Sequence, residues 1–187
     1  MQPLELFPMQ FPELKTERTK LVWISSKERS FVHRLFSDPQ VQEFRGASPF
    51  VDVHEVEIQL WKWRKQFASR EGIRWGIYHR EIQQLIGTAG LKNIDYQHLR
   101  AEISYELLPG WWNVGIMTEV LTKICSYALN DIQLHTLHAN IDPSHGASRR
   151  VLEKLDFKNE AHFRENWYRE GWWDSSIWVK RGEQKGV

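Results

Sequence analysis

Between residues 98 and 108 the chain reads HLRAEISYELL, and its apolar side chains fall on alternate positions. Ala101, Ile103, Tyr105 and Leu107 share one face; Glu102, Ser104 and Glu106 share the other. That alternation predicts a strand with one buried face, and Pro109 and Gly110 break it. The period then changes. From Gly115 to Leu129, Ile116, Val120 and Ile124 form one row and Leu121, Cys125 and Ala128 the next, the spacing of a helix with an apolar stripe.

The same reading extends along the chain. Residues 19–25 (TKLVWIS) predict a strand. Residues 26–38 follow as a helix with Ser26 as N-cap, Phe31, Val32, Leu35 and Phe36 on its apolar face, and Pro39 ending it. Residues 52–70 predict a second helix, with Val56, Leu60, Trp63 and Phe67 in helical register and Gly72 as the stop. Segments 73–80 and 83–94 read as antiparallel strands joined by a short polar turn. Residues 134–141 (LHTLHANI) predict a strand. Residues 142–155 predict a helix with Asp142 as N-cap and Pro143 in its first turn. Two final strands are expected over 157–168 and 172–181. The first fifteen residues hold three prolines and are expected to be an extended surface segment.

This order predicts an α/β (α+β) fold, with a mixed, mostly antiparallel sheet of about seven strands and helices on both faces. The middle three strands form a meander, which argues against a doubly wound parallel sheet. At 187 residues, without repeats or linkers, the chain is expected to form one domain.

Composition narrows the function. A net charge of +1 gives no reason to propose nucleic acid or an acidic membrane as partner. No apolar run approaches a membrane span, and the first residues lack the basic start and apolar block of a signal peptide, so a cytoplasmic location is expected. The one cysteine, Cys125, allows no internal disulfide and falls on an apolar helical row, reading as a small core residue rather than a nucleophile. The eight histidines show neither an HExxH motif nor a Cys/His cluster, so no metal site is predicted. Ten tryptophans are unusual, and both packing and the lining of a groove are open to them.

The place where chemistry can sit is the junction of the two patterns, LLPGWWNVGIMTEVL. A strand that passes through a Gly-containing turn into a helix leaves unpaired amides at the helix start, and the helix dipole adds partial positive charge. The candidate amides belong to Val114, Gly115, Ile116, Met117 and Thr118. An anion site and an ordinary strand-to-helix turn both fit. Glu102 and Glu106, on one strand face just before the turn, are either a general base at a cleft or a solvated face.

The segment from RAEISYELL through DPSHGASRRVLEKLDF resembles the core of the GNAT N-acetyltransferase superfamily, and its RimJ/RimL-like branch in particular. The likeness runs over nearly the whole chain. Within the pyrophosphate loop, residues 111–120 align, and Trp112, Gly115, Met117, Thr118 and Glu119 fit the branch. Asn113 stands in place of a glycine and Val114 in place of a lysine. Asn tolerates positive φ, so the turn is expected to survive; the loss of the lysine charge is expected to weaken the cofactor's affinity without abolishing it. His145 takes the place of an Asn that holds the pantetheine arm, and Asp156 that of a glycine at a helix end.

The resemblance implies acetyl-CoA as cosubstrate and direct attack by an amine, from a small molecule or a protein N-terminus, on the thioester. It implies Glu102 as base, backbone N–H groups near Leu107 and Leu108 to position the thioester, and Ser148 as the acid for the leaving thiolate. A water-mediated route competes with Glu102. A non-catalytic acyl-CoA-binding or scaffold protein is the other function compatible with the departures at Asn113, Val114 and His145. Monomer and homodimer are both left open.

Overall fold

The two-residue alternation yields strands close to where it predicts them. The computed structural model describes residues 3–45, 47–168 and 170–182. Eight strands form one sheet: β1 (Leu14–Lys15), β2 (Thr19–Val22), β3 (Ile73–His79), β4 (Gln84–Asp95), β5 (Arg100–Leu107), β6 (Thr136–Ile141), β7 (Lys158–Tyr168) and β8 (Trp172–Arg181). Their order is β1-β2-β3-β4-β5-β6-β8-β7. All neighbours are antiparallel except β5 and β6. The eighth strand is β1, two residues that pair Leu14 with Leu21, too short to carry a period.

Among the described residues five α-helices pack on it: α1 (Arg29–Ser37), α2 (Pro39–Gln42), α3 (Val53–Ala68), α4 (Ile116–Ser126) and α5 (Gly146–Lys154). They cover both faces of the sheet. Ile73, Trp75 and Ile77 of β3 join the large apolar cluster that holds Val120, Leu121 and Ile124 of α4 and Leu152 of α5. On the opposite face, Val32, Leu35 and Phe36 of α1 pack with Val56 and Leu60 of α3 and with Ile24. Of the apolar positions expected in the core, Phe31, Trp63, Phe67 and Tyr105 are only partly buried against these clusters. Among the described residues no helix is long and apolar enough to cross a membrane.

Several boundaries shift for local reasons. Ser25, not Ser26, caps the first helical segment, in a capping box with Glu28, and a 3₁₀ turn over 26–28 precedes α1. Pro39 does not simply end that segment; Asp38 accepts from the Gln40 and Val41 amides and starts α2 with Pro39 in the first turn. α3 ends at Ala68, before Gly72, and Arg70 takes the left-handed conformation at φ 61°. Asp142 does not cap α5. It accepts from the backbone N–H and hydroxyl of Ser144, and α5 begins four residues later with His145 as N-cap.

Residues 3–13 are tied down rather than loosely apposed. Residues 3–6 form a 3₁₀ turn, Phe7 is buried, and the Pro12 carbonyl accepts from the buried Trp75 indole N–H at 2.6 Å. Trp75→Phe keeps most of the ring but leaves that carbonyl without its donor. It should lower stability to urea by about 1–2 kcal/mol and expose residues 3–13 to protease, seen by limited proteolysis with mass analysis.

Candidate functional site: a cavity through the sheet

β5 and β6 pair over only three residues, Arg100–Glu102 against Thr136–His138. Beyond that point each strand stays with its outer neighbour. β5 follows β4 to the Leu108 N–H, which donates to the Ile86 carbonyl at 2.9 Å, while β6 follows β8 to Ile141. The sheet opens between them. Peptide groups alternate in direction along a strand, so Leu107, paired with Gly87 next to that bond, turns its N–H and C=O toward the gap. Its carbonyl accepts from Trp112 Nε1 at 2.6 Å. The expectation that both Leu107 and Leu108 offer free amides is therefore corrected: the Leu108 N–H is spent in the ladder.

The turn into α4 is built around two left-handed residues, Asn113 at φ 62° and Gly115 at φ 82°. Asn is one of the few residues with a side chain that reaches this region at little cost, which explains how the turn keeps its course where a glycine is replaced. Gly115 is the N-cap and has no side chain with which to cap. The first ladder bond of the helix runs from the Glu119 N–H to the Gly115 carbonyl, so the amides of Ile116, Met117 and Thr118 precede it and have no intrahelical acceptor. All three residues line a cavity of about 330 Å³ with Trp111, Trp112 and Asn113. Val114 is off that wall; its carbonyl accepts from Arg18 Nη1 at 2.8 Å.

Arg18 was not visible as a site residue in the sequence. Its Nε donates to Glu119 Oε2 at 2.7 Å and its backbone N–H to Glu119 Oε1 at 2.8 Å. A Cβ placed on Gly115 would lie 3.5 Å from its Nη2. One guanidinium thus ties the start of β2 to both the turn and the first turn of α4. It also brings a positive charge to a loop whose own lysine position holds Val114. No local signal could have found this contact, because its partners lie 101 residues apart.

On the other wall, Ser148 of α5 is buried and its hydroxyl lies 2.6 Å from the Tyr105 hydroxyl. Burial pushes the Tyr105 phenol up to about 12 against the smaller opposing effect of the Ser148 hydrogen bond, so it remains a proton donor at neutral pH. Alternation alone assigns Tyr105 to the core face, which conceals this role. His145 stacks on Phe44 with ring centroids 4.3 Å apart. Burial lowers its pKa, Asp142 opposes this, and Arg150 adds slightly to it. The imidazole is therefore neutral near pH 7 and offers both a donor and an acceptor nitrogen. Asp156 takes φ 61° at the end of α5, the conformation its glycine-like position demands. Cys125 is buried, and burial pushes its thiol up to about 12, so the thiolate a nucleophile needs is disfavoured, in keeping with a core residue.

A second cavity, of about 350 Å³, lies on the α1–α3 face. It shares Val41, Phe44, Tyr105, Glu106, His145 and Ser148 with the first. The two are halves of one passage through the gap between β5 and β6. The two strand carboxylates occupy different places in it. Glu106 borders both cavities and is held by Arg74 and by Arg45, the latter at 3.4 Å. Glu102 borders only the second, with Lys92 Nζ at 2.9 Å, Asn93 Nδ2 at 3.2 Å and His138 Nε2 at 3.9 Å. Among the described residues no three His, Cys, Asp or Glu side chains gather to hold a metal.

Residues 18–158 match the model of the acetyltransferase (GNAT) domain. The chain belongs to the GNAT acetyltransferase family. It is 31% identical over 161 residues to the uncharacterized N-acetyltransferase YoaA of Bacillus subtilis, spanning 86% of this chain and 91% of that relative. Two solved structures share the fold. RimJ of Mycobacterium smegmatis with CoA-disulfide superposes with a TM-score of 0.84 at 16% identity, covering 94% of this chain and 90% of that one. Spermidine N-acetyltransferase of Vibrio cholerae with CoA and spermine gives a TM-score of 0.78 at 18% identity, covering 88% and 95%. The chain is accordingly an acetyl-CoA-dependent N-acetyltransferase, and the free amides of α4 with the left-handed Gly115 fit a pyrophosphate.

Two predictions follow from these walls. Arg18→Met should weaken CoA binding about tenfold, roughly 1.4 kcal/mol, while the chain stays folded; tryptophan quenching on CoA titration and circular dichroism check the two parts. The pKa of His145 is lowered in the fold, so its contribution to stability is full above its ordinary value of 6.5 and is lost as pH falls below it. His145→Asn should flatten the dependence of the unfolding midpoint on pH between about 7 and 5, measured by thermal melts across that range.

Proposed function

We propose that this chain acetylates a primary amine, of a small molecule or a protein N-terminus, in the manner of the RimJ/RimL-like branch, and that cosubstrate and acceptor reach the reaction from opposite faces of the sheet. The observation that carries this reading is the meeting of two cavities at Tyr105 and Ser148. The cavity with the free amides of α4 suits a pyrophosphate; the cavity on the α1–α3 face suits the amine.

Bound acetyl-CoA supplies the electrophilic thioester carbonyl. The amides of Ile116, Met117 and Thr118 hold its pyrophosphate, with Asn113 and Gly115 shaping the turn and Arg18 fixing it. The Leu107 N–H, turned into the gap, positions the pantetheine and thioester. His145, backed by Phe44, holds the arm through either ring nitrogen. The amine arrives as ammonium and must lose a proton before it attacks. Glu102 receives that proton across the second cavity through water, since it does not border the first. The hydrogen-bonded pair of Ser148 and Tyr105 gives a proton to the departing thiolate and regains one from the acylated nitrogen, which must shed its second proton to become the amide. Glu106, fixed by two guanidinium groups, shapes the junction instead of exchanging protons.

Turnover of an amine panel followed by free-thiol release tests the reading. Glu102→Gln should lower kcat about 10²-fold or more with CoA affinity unchanged; equal turnover in the variant removes Glu102 as base. A non-catalytic acyl-CoA binder would bind the cosubstrate and release no thiol with any amine.

A further inference from the structure

The charge of the second cavity limits which amine can enter it. Six charged side chains line it: Arg45, Lys62, Arg74 and Lys92 against Glu102 and Glu106, four cations to two carboxylates. The pairing is uneven. Lys92 is matched by Glu102, but Arg45 and Arg74 converge on the single carboxylate of Glu106, and Lys62 has no carboxylate partner among the described residues. Neither guanidinium can swing out to water easily. Arg45 lies over the Phe36 ring at 4.2 Å, and Arg74 lies over Trp63 at 5.5 Å with its Nη1 bound to Ser104. Arg74 Nε is buried with no acceptor. The excess positive charge is felt within the cluster, since Arg45 helps burial to pull Arg74 down to about 9, still protonated at neutral pH.

Such a wall repels a polycation and attracts an anion. We infer that the acceptor is a primary amine carrying a carboxylate a few bonds from the reacting nitrogen, its acid group facing Arg45, Arg74 and Lys62 and its amine facing Tyr105 and Ser148. The inference rests on the acetyl transfer proposed above. A free amino acid and a peptide N-terminus followed by an acidic residue share this chemistry. A diamine or polyamine does not, although one structural relative was solved with spermine.

The test measures kcat/KM by thiol release with matched acceptors: 4-aminobutyrate against 1,4-diaminobutane, and short peptides with aspartate or lysine after an N-terminal alanine. The anionic member of at least one pair should react about tenfold or more faster than its cationic match, and the gap should narrow between about 50 and 500 mM salt. The pair that reacts tells the small acid from the peptide. Lys62→Glu should shrink or invert the ratio while CoA affinity, read by tryptophan quenching, stays constant. Equal or faster reaction of the cationic members, or a ratio that neither salt nor Lys62→Glu moves, overturns the inference and leaves acetyl transfer standing. Absence of thiol release with every amine tested, despite CoA binding, overturns both.

Discussion

The architecture depends on one interruption in hydrogen bonding. Among the described residues β5 and β6 are the one parallel pair in the sheet, and their ladder stops after Glu102 and His138. Neither strand is frayed there, because each remains paired on its other side, β5 with β4 and β6 with β8. The sheet can therefore open without exposing two edges that demand partners. Only the inward peptide groups are released, and Trp112 takes one of them by donating to the Leu107 carbonyl. Had the parallel pairing continued, the passage would be filled by backbone, and Tyr105, Glu106 and Ser148 would have no cavity to border.

The two sides of this opening differ in what they present. The α4 side presents main-chain amides at a helix start, a geometry suited to an anion that most side-chain substitutions leave alone. A loop with one glycine and no lysine thus still leaves the amides of Ile116, Met117 and Thr118 without intrahelical acceptors. The α1–α3 side uses charged side chains on the sheet face and on α3, and its character follows from their balance. Glu106 is central to that balance. Removing it would leave two guanidinium groups without their carboxylate in a largely buried place, a loss of about 3–5 kcal/mol for a pair of this kind.

Much of the fold was legible because it is written in local periods. The alternation at 98–108 and the helical rows at 116–128 place β5 and α4 within a few residues: β5 covers 100–107, and α4 ends at Ser126, where a π-helical turn over 127–131 replaces the expected last turn to Leu129. The left-handed Asn113 and Asp156 were legible only through the resemblance, which sets both at glycine positions; Arg70, Gln83 and Leu99 take the same conformation without any mark in the sequence. What was hidden depends on contacts between distant segments. Arg18 has no local mark as a loop-fixing residue. Tyr105 looks like one more member of an apolar face until Ser148 is placed beside it. The Leu108 amide appears free in the sequence and is occupied only because β4 continues as far as Ile86. Pairing of charges is equally non-local: Glu102 and Glu106 look equivalent on one strand face, and their different partners separate them.

The Arg18 clamp also bears on the order in which the molecule acquires its site. It joins residues 101 apart in the chain, and contacts of such span close late because the intervening loop must first lose its freedom. α4 can coil from its own apolar rows, but its first turn is not braced until the strand that begins at Thr19 has docked on β3. A partly folded chain lacking that strand has the helix without the braced loop. A ligand held by that loop would bind the assembled chain in preference to the partly folded one and so stabilise it by mass action.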